Sequence, residues 1–304
     1  MKQDFPKLGM GLLCRLFGKT RHAYYDALWR KERSLVKEDI ILQEVLDIRK
    51  QLPRLGTRKL HHLLGKRLLS HNMTIGRDYL FNLLSDHNLL VRQRKRKAIT
   101  TNSRHWMKKY GNLIKDMAIT RPEQVWVSDI TYVRMVGQWG YLSLITDAYS
   151  RKIMGHSFRM DLTAQGCIDA LKMALDNKVY QEPMIHHSDR GSQYCSHQYV
   201  GLLLKNKTAI SMTENGDPYE NAIAERVNGI IKTEFDLHSS VLGFEGTQKY
   251  ISKCIADYNG LRPHASCDYM TPDQAHSVTT KLKKRWKNYQ NYNNPNMTVQ
   301  SFWD

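Results

Sequence analysis

Residues 125–158, which decide the fold, read VWVSDITYVRMVGQWGYLSLITDAYSRKIMGHSF. Three runs within this stretch are rich in β-branched and aromatic residues, a composition that favours β-strands. The runs cover residues 125–133, 141–146 and 152–158. The two glycines of Gly137-Gln-Trp-Gly140 predict a hairpin turn between the first two runs. We therefore expect three consecutive antiparallel strands.

The residues that follow alternate between helical and extended patterns. Thr163 can begin a helix whose apolar residues Ile168, Leu171 and Leu175 recur at helical spacing. A strand, a helix, a strand and a last helix are predicted next, the first three at 184–187, 196–204 and 209–212. The order β-β-β-α-β-α-β-α predicts an α/β fold, with a mixed sheet flanked by helices.

The first third of the chain is expected to be all-α. Residues 11–30 predict one helix-turn-helix, and residues 38–51 repeat the helical period. Thr57 and Thr74 can cap two further helices, which form a second candidate helix-turn-helix. This periodicity is equally compatible with plain helix packing and with DNA binding. The charge of the segment decides in favour of DNA.

Positive charge is concentrated at one end of the chain. The 46 Lys and Arg against 29 Asp and Glu leave a net charge of +17. Residues 1–110 contain 25 basic and 9 acidic residues, a net charge of +16, which leaves only +1 for residues 111–304. A merely soluble basic surface accounts for a net charge but not for its concentration in one segment. The pattern indicates a nucleic-acid-binding module joined to a part with another task.

A run of basic residues follows the helical segment. Five of the six residues at 92–97 are basic, namely Arg92, Arg94, Lys95, Arg96 and Lys97. Because polar and weakly structured residues follow at 100–103, we interpret the region as a linker that tracks a phosphate backbone.

Composition excludes several classes of protein. With 41% hydrophobic and 25% charged residues, the chain is neither collagen-like nor largely disordered. It contains no run of about 18 apolar residues and no secretory signal at residues 1–12, so we expect a cytoplasmic protein without membrane spans. The five cysteines never form a C-x-x-C pair, which argues against a disulfide framework and against a structural zinc site.

Three carboxylates are candidates for a metal site. Asp129 lies in the first strand, Asp189 just beyond the fourth, and Glu225 on the helix after the last strand. A mixed sheet with a neighbouring helix can bring them together. Oxygen-rich clusters suit Mg²⁺ or Mn²⁺, and phosphodiester chemistry commonly uses two such ions about 3.5 to 4 Å apart.

The neighbouring Glu220 has a different predicted role. In Asp217-Pro-Tyr-Glu220, the aspartate fits a helix N-cap and the glutamate fits the third helical position of a capping box. Glu220 is therefore interpreted as structural. On the same helix, Asn221, Asn228 and Lys232 share the face of Glu225, because they lie at i−4, i+3 and i+7.

Other polar residues near the carboxylates are interpreted as structural. His186 and His187 are adjacent in a strand, so they point to opposite faces and are expected to make local hydrogen bonds. Asp147 begins the turn 147–151 and fits a turn role. Tyr258, Arg262 and His264 are either a polar cluster between elements or DNA contacts; the residues leave both open.

Three segments surround the acidic residues, and a fourth lies near the C-terminus. The three are Trp126-Val-Ser-Asp129-Ile-Thr-Tyr132, His187-Ser-Asp189-Arg-Gly-Ser-Gln-Tyr194 and Asn215-Gly-Asp-Pro-Tyr-Glu-Asn-Ala222, and the fourth comprises Tyr258-Asn259, Arg262-Pro-His264 and Tyr269-Met-Thr-Pro272. Together they resemble DDE transposases, relatives of retroviral integrases, and in particular the second-reading-frame transposase of two-frame bacterial insertion sequences. The 35 residues between Asp189 and Glu225 match the spacing for which this family is known.

The resemblance implies a ribonuclease H-like fold and cleavage and joining of DNA strands. It implies dependence on Mg²⁺, for which Mn²⁺ can substitute, with two ions held by Asp129, Asp189 and Glu225 as catalytic residues. Lys232 is implied to contact DNA near the cut. The sequence departs from the family pattern at Ser128, where Thr is usual, and at Glu220, where Asp is usual.

We predict five segments: an N-terminal helix-turn-helix, a second helical DNA-binding domain, a basic linker, a ribonuclease H-like catalytic core, and a C-terminal helical and basic tail region. Their ranges are 1–35, 36–91, 92–120, 121–240 and 241–304. The expected partners are duplex DNA, both terminal inverted repeats and target, at least one further copy of the chain, and a possible upstream-frame protein. The resemblance implies a bacterial, nucleoid-associated protein.

Two rival functions share part of this pattern. A catalytically inactive, sequence-specific DNA-binding regulator would also use the basic first third, but the intact acidic residues argue against it. A ribonuclease H-like nuclease without joining activity would use the carboxylates but would not need helix-turn-helix modules.

Overall fold

The computed structural model describes residues 6–91, 106–115, 117–214, 220–237, 242–280 and 282. These residues form two compact units. The helical unit consists of the described residues up to Lys50 together with 56–91, and the sheet unit consists of 51–55 and the described residues from 106 onward. The basic run at 92–97 and most of the basic tail after residue 280 lie outside the described residues.

The helical unit is all-α, as the sequence predicts. Its helices are α1 (Met10–Leu16), α2 (Arg21–Gln51, whose last residue lies in the sheet unit), α3 (Thr57–Leu68) and α4 (Arg77–Asp86). Apolar side chains of α2, α3 and α4 are buried, namely Ile41, Val45, Ile48, Leu60, Leu64, Leu68, Leu80, Leu83 and Leu84. Burying these side chains away from water is the main driving force for this packing.

Helix α2 runs without a break through residues 35 and 36, where the sequence predicts a domain boundary. Between Arg21 and Gln51 the chain contains neither Gly nor Pro, so no residue interrupts the backbone hydrogen bonds. The helix ends two residues before Pro53, which cannot continue it. The two predicted helical domains therefore share this helix.

The two threonine caps predicted in this unit are wrong. Helix α3 has Gly56 as its N-cap and begins at Thr57, and α4 has Gly76 as its N-cap, two residues after Thr74. Both glycines have extended backbone angles, with φ of −72° and −78°. Glycine at the N-cap is nearly as favourable as threonine, so the helices begin without a side-chain cap.

The sheet unit contains five strands among its described residues. They are β1 (Val125–Arg134), β2 (Trp139–Asp147), β3 (Ile153–Arg159), β4 (Ile185–Ser188) and β5 (Ala209–Met212). Their order in the sheet is β3-β2-β1-β4-β5. The pairs β1–β2 and β2–β3 are antiparallel, whereas β1–β4 and β4–β5 are parallel. This confirms the three consecutive antiparallel strands and the mixed sheet of the ribonuclease H-like fold.

Helices flank this sheet, and the alternation of strand residues divides the core between its faces. The helices are α5 (Ala164–Asp176), α6 (His197–Lys205), α7 (Ala222–Glu234), α8 (Phe244–Leu261) and α9 (Pro272–His276). Trp126 is fully buried in one core cluster with Leu171 of α5 and Tyr199 of α6. Its neighbour Val127 lies in a second cluster with Ala224 of α7. Successive residues of a strand point to opposite faces, so α5 and α6 cover one face and α7 covers the other.

Close packing fixes α5 on the sheet at Gly155 of β3. A Cβ atom at this position would overlap the carbonyl oxygen of Ala170 and lie 2.7 Å from the backbone nitrogen of Ala174. Only glycine therefore allows the helix to approach the strand this closely.

The second half of the predicted linker is part of the sheet unit. Met107 and Tyr110 pack against the cluster that contains Trp126. The backbone N–H of Met212 donates to the carbonyl of Gly111 at 3.2 Å, which adds this segment to the edge of β5. The run 92–120 is thus not a linker throughout.

A buried cluster of two acids and one histidine joins α9 to the sheet. Nε2 of His276 lies 3.3 Å from Oε1 of Glu123, and its Nδ1 lies 3.5 Å from Oδ2 of Asp147. Nδ1 also lies 3.1 Å from the hydroxyl oxygen of Ser150. Both acids are fully buried, so a charged imidazolium is the natural counterion.

The cluster predicts a pH dependence of stability. Burial alone would lower the pKa of His276, but hydrogen bonds to Asp147 and Glu123 outweigh burial and raise the pKa. The stabilisation is therefore complete below the unfolded pKa of about 6.5 and is lost as the pH rises through the folded pKa. We expect the melting temperature of His276→Gln to lie below that of the wild type at acidic pH, with a gap that narrows as the pH rises. A gap that does not change with pH would contradict this.

The structure bears on two predictions from the sequence, which concern disulfide bonds and membrane-spanning helices. All five cysteines, at positions 14, 167, 195, 254 and 267, are buried and free of disulfide bonds. None of the helices described is both long enough and apolar enough to cross a bilayer.

Candidate active site

The register between β1 and β4 brings Asp129 and Asp189 side by side. The two strands are parallel, and Val127 of β1 pairs with His187 of β4. Each aspartate lies two residues beyond that pair. Since side chains two residues apart share a face of the sheet, the two carboxylates project on the same side at adjacent positions.

The carboxylate of Asp129 is held by two hydrogen bonds. Oδ1 accepts from the backbone N–H of Ile130 at 2.9 Å, and Oδ2 accepts from the side-chain amide of Asn228 at 2.7 Å. Burial and repulsion from Asp189, with a smaller repulsion from Glu225, outweigh these bonds and raise the pKa of Asp129 to about 7. Carboxylates that repel one another in a half-buried site favour a cation between them.

A tight turn orients the second carboxylate. The backbone N–H of Gly191 donates to Oδ1 of Asp189 at 3.0 Å. A Cβ atom at Gly191 would lie 3.0 Å from that same oxygen and 3.2 Å from Oε1 of Gln193. Glycine therefore leaves the space in which the backbone can approach the carboxylate.

Helix α7 presents its polar face to the aspartates. The side-chain amide of Asn221, the N-cap residue, donates to the carbonyl of Ser128 at 3.0 Å and fixes the start of the helix to β1. One turn after Glu225, which is exposed, Asn228 reaches Asp129. Lys232 follows one turn beyond Asn228. Among the apolar residues of the helix, Ala224, Val227, Ile230 and Ile231 are buried.

The donor set fits a hard divalent cation. Three carboxylates interact, and Oδ1 of Asn228 is buried without a hydrogen-bond partner among the described residues. Oxygen ligands of this kind are those that Mg²⁺ and Mn²⁺ prefer. Within the described ranges, no three His, Cys, Asp or Glu side chains are already grouped closely enough to hold an ion. A bound ion would therefore have to bring the three carboxylates closer together.

The capping role predicted for Glu220 is wrong, although the residue is structural. Helix α7 begins at Ala222 with Asn221 as its N-cap, so Glu220 lies before the helix and not at its third position. Its carboxylate accepts the backbone N–H of Glu214 at 2.6 Å. The predicted N-cap, Asp217, lies outside the described residues.

The two histidines of β4 make local hydrogen bonds on opposite faces, as predicted. Nε2 of His186 lies 2.7 Å from the hydroxyl of Ser128 and 2.8 Å from that of Tyr199. Nδ1 of His187 lies 2.8 Å from the hydroxyl of Ser211. Burial lowers the pKa of His186 to about 3 and that of His187 to about 4, so both rings are neutral at physiological pH.

Asp147 has the predicted turn role. Its Oδ2 accepts the backbone N–H of Ser150 at 2.8 Å, and its Oδ1 accepts the backbone N–H of Glu123 at 2.9 Å. Asp147 is fully buried at the end of β2, and both of its carboxylate oxygens accept these hydrogen bonds.

Asn221 and Asn228 share the predicted face of Glu225, but the sequence predicts no contact for either of them. The structure gives both a contact with β1, through the carbonyl of Ser128 and the carboxylate of Asp129. The sequence signal for these contacts is that Asn221 and Asn228 lie at i−4 and i+3 from Glu225, on one face of the helix. A helical period alone does not reveal that this face of α7 packs on β1.

The family comparisons agree with this geometry. Two family models described as Integrase core domain match residues 119–218 and 206–272. The insertion element IS600 uncharacterized 31 kDa protein of Shigella sonnei is 32% identical over 265 residues, which cover 86% of this chain and 96% of that protein. Transposase InsF for insertion sequence IS3A of Escherichia coli K12 is 35% identical over 163 residues, which cover 53% of this chain and 57% of InsF.

Solved structures with a similar fold include two viral proteins. The HTLV-2 integrase catalytic core domain in complex with magnesium aligns with 51% of this chain and 97% of its own, at 20% identity and a TM-score of 0.42. The simian T-cell lymphotropic virus intasome in complex with PP2A regulatory subunit B56 gamma aligns with 73% of this chain and 75% of its own, at 21% identity and a TM-score of 0.46.

The two matched ranges contain all three acidic residues, Asp129, Asp189 and Glu225. The enzyme class is that of the DDE-type polynucleotidyl transferases. Within it, the chain belongs to the family of IS3-type insertion-element transposases.

Proposed function

We propose that this protein cleaves and joins DNA strands at the ends of its insertion element, with two divalent ions held by Asp129, Asp189 and Glu225. The observation that carries the proposal is the adjacent placement of Asp129 and Asp189. Burial, together with repulsion from Asp189, raises the pKa of Asp129 to about 7. Such ions would activate the attacking oxygen of water or of a DNA 3′ end and would neutralise the leaving 3′ oxygen.

The residues of the chain prepare this chemistry by orientation. Asn228 and the N–H of Ile130 fix both oxygens of Asp129, and the N–H of Gly191 fixes one oxygen of Asp189. Preorganised ligands of this kind cost no reorganisation during reaction. No protein nucleophile is needed. Lys232, on the face of α7 that carries Asn228, is proposed to hold a DNA phosphate near the cut.

The proposed partners follow from the chemistry and the charge. The basic residues of 1–110, including Arg92, Arg94, Lys95, Arg96 and Lys97, bind the terminal inverted repeats and the target duplex. Two element ends must be cut in one complex, so at least two copies of the chain assemble on DNA. A protein from an upstream frame is a further candidate partner, and the site of action is the bacterial nucleoid in the cytoplasm.

The test uses the full chain with labelled duplexes that carry the two ends of the DNA flanking its gene, a target plasmid and Mg²⁺. We expect end cleavage followed by joining to the plasmid, and neither product when EDTA removes the metal. Binding without cleavage would favour the inactive regulator. Cleavage without joined product would favour the nuclease.

A further inference from the structure

The C-terminal signature Tyr258-Asn259 with Arg262-Pro-His264 has no part in the site described above. The structure identifies it as a buried polar cluster between elements, which is the first of the two readings left open by the sequence. Tyr258 is fully buried, and Arg262 has an exposed fraction of only 1%. A guanidinium so enclosed cannot reach a DNA phosphate.

Arg262 forms a two-point ion pair with the last residue of α7. Its Nε donates to Oε2 of Glu234 at 2.8 Å, and its Nη2 donates to Oε1 at 2.7 Å. The guanidinium also lies 5.7 Å from the ring centroid of Tyr258. Two parallel bonds between a planar guanidinium and a carboxylate fix direction as well as distance.

The residues just before Arg262 are themselves anchored to the sheet. The hydroxyl of Tyr258 donates to the carbonyl of Arg151 at 2.9 Å. The side-chain amide of Asn259 accepts from the N–H of Ile153 and donates to its carbonyl, both at 2.9 Å. The end of α8 is thus hydrogen-bonded to the start of β3, so the backbone at Arg262 is held in place relative to the sheet.

Helix α7 is consequently held at both ends. Asn221 bonds the start of α7 to β1, and Arg262 bonds its end to the end of α8, which is anchored on β3. Lys232 lies only two residues before Glu234, and Asn228 lies six residues before it. Since a helix advances about 1.5 Å per residue as a stiff rod, a shift at its end is passed on to both residues.

Glu234, at the C-terminal end of α7, also needs a positively charged partner. A carboxylate in the last turn of a helix faces the negative end of the helix dipole, which disfavours it. Arg262 supplies the opposite charge without solvent access. Loss of Arg262 would remove this compensating charge and would favour movement of the last turn of α7.

We propose that Arg262 is a positioning residue for strand cleavage and joining: through Glu234 it sets the axial position of α7 and thereby places Asn228 and Lys232 relative to Asp129. This inference rests on the proposed function. It assigns to the C-terminal signature a role in the geometry of the active site, with no contact to DNA or metal.

The test separates position from stability by comparing single and double variants of the full chain. Arg262→Met alone removes the cation that faces Glu234 and should lower the melting temperature. The double variant Arg262→Met with Glu234→Met removes both charges, and replacing a buried ion pair by apolar residues is often neutral for stability. We expect it to melt near the wild type but to cleave end DNA about 10-fold or more slowly, because supporting residues around a metal site commonly contribute that much. The Mg²⁺ concentration for half-maximal cleavage should rise in parallel, with DNA affinity unchanged.

Two further variants complete the design. Arg159→Lys, which alters an ion pair with Asp161 and Asp169 elsewhere on the sheet unit, should leave the Mg²⁺ requirement unchanged. Tyr250→Phe removes a 2.8 Å hydrogen bond to the carbonyl of Phe235, just after α7, and should shift the Mg²⁺ requirement slightly upward. If the Arg262 variants do not fold, the Mg²⁺ requirement of Tyr250→Phe tests whether the position of the end of α7 affects cleavage.

A double variant that regains stability and also cleaves at the wild-type rate with the wild-type Mg²⁺ requirement would overturn the inference. So would an unchanged Mg²⁺ requirement in Tyr250→Phe when the Arg262 variants are unfolded. Calorimetric titration with Mn²⁺ gives a readout that does not depend on turnover, and the double variant should bind Mn²⁺ about 10-fold more weakly. If the wild type neither cleaves nor binds Mn²⁺, the proposed function fails and this inference fails with it. If the wild type does both and the variants match it, only this inference fails.

Discussion

Glu225→Gln is expected to reduce cleavage and joining of end DNA in Mg²⁺ by at least ~100-fold, while DNA binding persists. The substitution keeps the size of the side chain and its helix propensity but removes an anionic oxygen from the proposed metal site. Ions bound there lower the activation barrier by several kcal/mol. Asp129→Asn and Asp189→Asn should have the same effect, since each removes one charge from a shared site. The measurement is single-turnover cleavage of labelled end DNA by purified variants.

The matched control is Glu220→Gln, five residues before Glu225. Its carboxylate accepts the backbone N–H of Glu214, and a glutamine oxygen can also accept that bond. Activity should therefore be retained. Full activity in Glu225→Gln, or selective loss in Glu220→Gln with a normal melting temperature, would mean that the wrong glutamate has been assigned.

Melting temperatures of the Asp129 variant provide an independent check on the electrostatics. The pKa of Asp129 is raised to about 7 in the fold, from an unfolded value of about 4. A raised carboxylate pKa means that the metal-free wild type loses stability as the pH rises through this window. Asp129→Asn removes that loss, so the metal-free variant should melt at the same temperature as the wild type near pH 4 and higher above pH 7.

The second large effect concerns DNA binding by the basic first third. The net charge of +16 at residues 1–110, against +1 for the remainder, predicts that a fragment ending near residue 104 binds duplex DNA. With about 6 to 10 phosphate contacts, its affinity should fall by roughly 10³ to 10⁵ between about 50 and 200 mM salt, because neutralised phosphates release counterions. An electrophoretic titration at several salt concentrations measures this.

The fragment 111–304 is the comparison for that titration. It contains the candidate active site but almost no net charge. It should bind the same duplex weakly and with a shallower dependence on salt. Equal binding by both fragments, or no binding by residues 1–104, would contradict the proposal that the basic first third of the chain supplies most of the DNA affinity.

The sheet could be predicted because its strands have strong local signals. β-branched and aromatic runs, the hairpin glycine Gly137 with φ of 72°, and the polar residues between strands each act over a few residues. The position of Asp129 within the first strand and of Asp189 just beyond the fourth followed from the same pattern. Local signals of this kind survive in the fold because burial of the apolar faces reinforces them.

The errors lie where several local solutions have similar free energies. Glycine and threonine are nearly equivalent at an N-cap, so the sequence predicts caps at Thr57 and Thr74, whereas the helices have Gly56 and Gly76 there. The capping box at Glu220 was equally plausible locally, but Asn221 bonds to β1 and begins α7 later. The roles of Asn228 and Arg262 depend on contacts with residues 99 and 28 positions away along the chain, which no sequence window contains.

The central claim is that Asp129 and Asp189 together hold the divalent ions of a strand-transfer site. Anomalous scattering from Mn²⁺ in crystals of the full chain bound to end DNA tests it most directly. We predict two peaks about 3.5 to 4 Å apart, held by the carboxylates of Asp129, Asp189 and Glu225. Both peaks should be lost in Asp129→Asn. Absence of Mn²⁺ from these carboxylates in a complex that still cleaves its DNA would contradict the account.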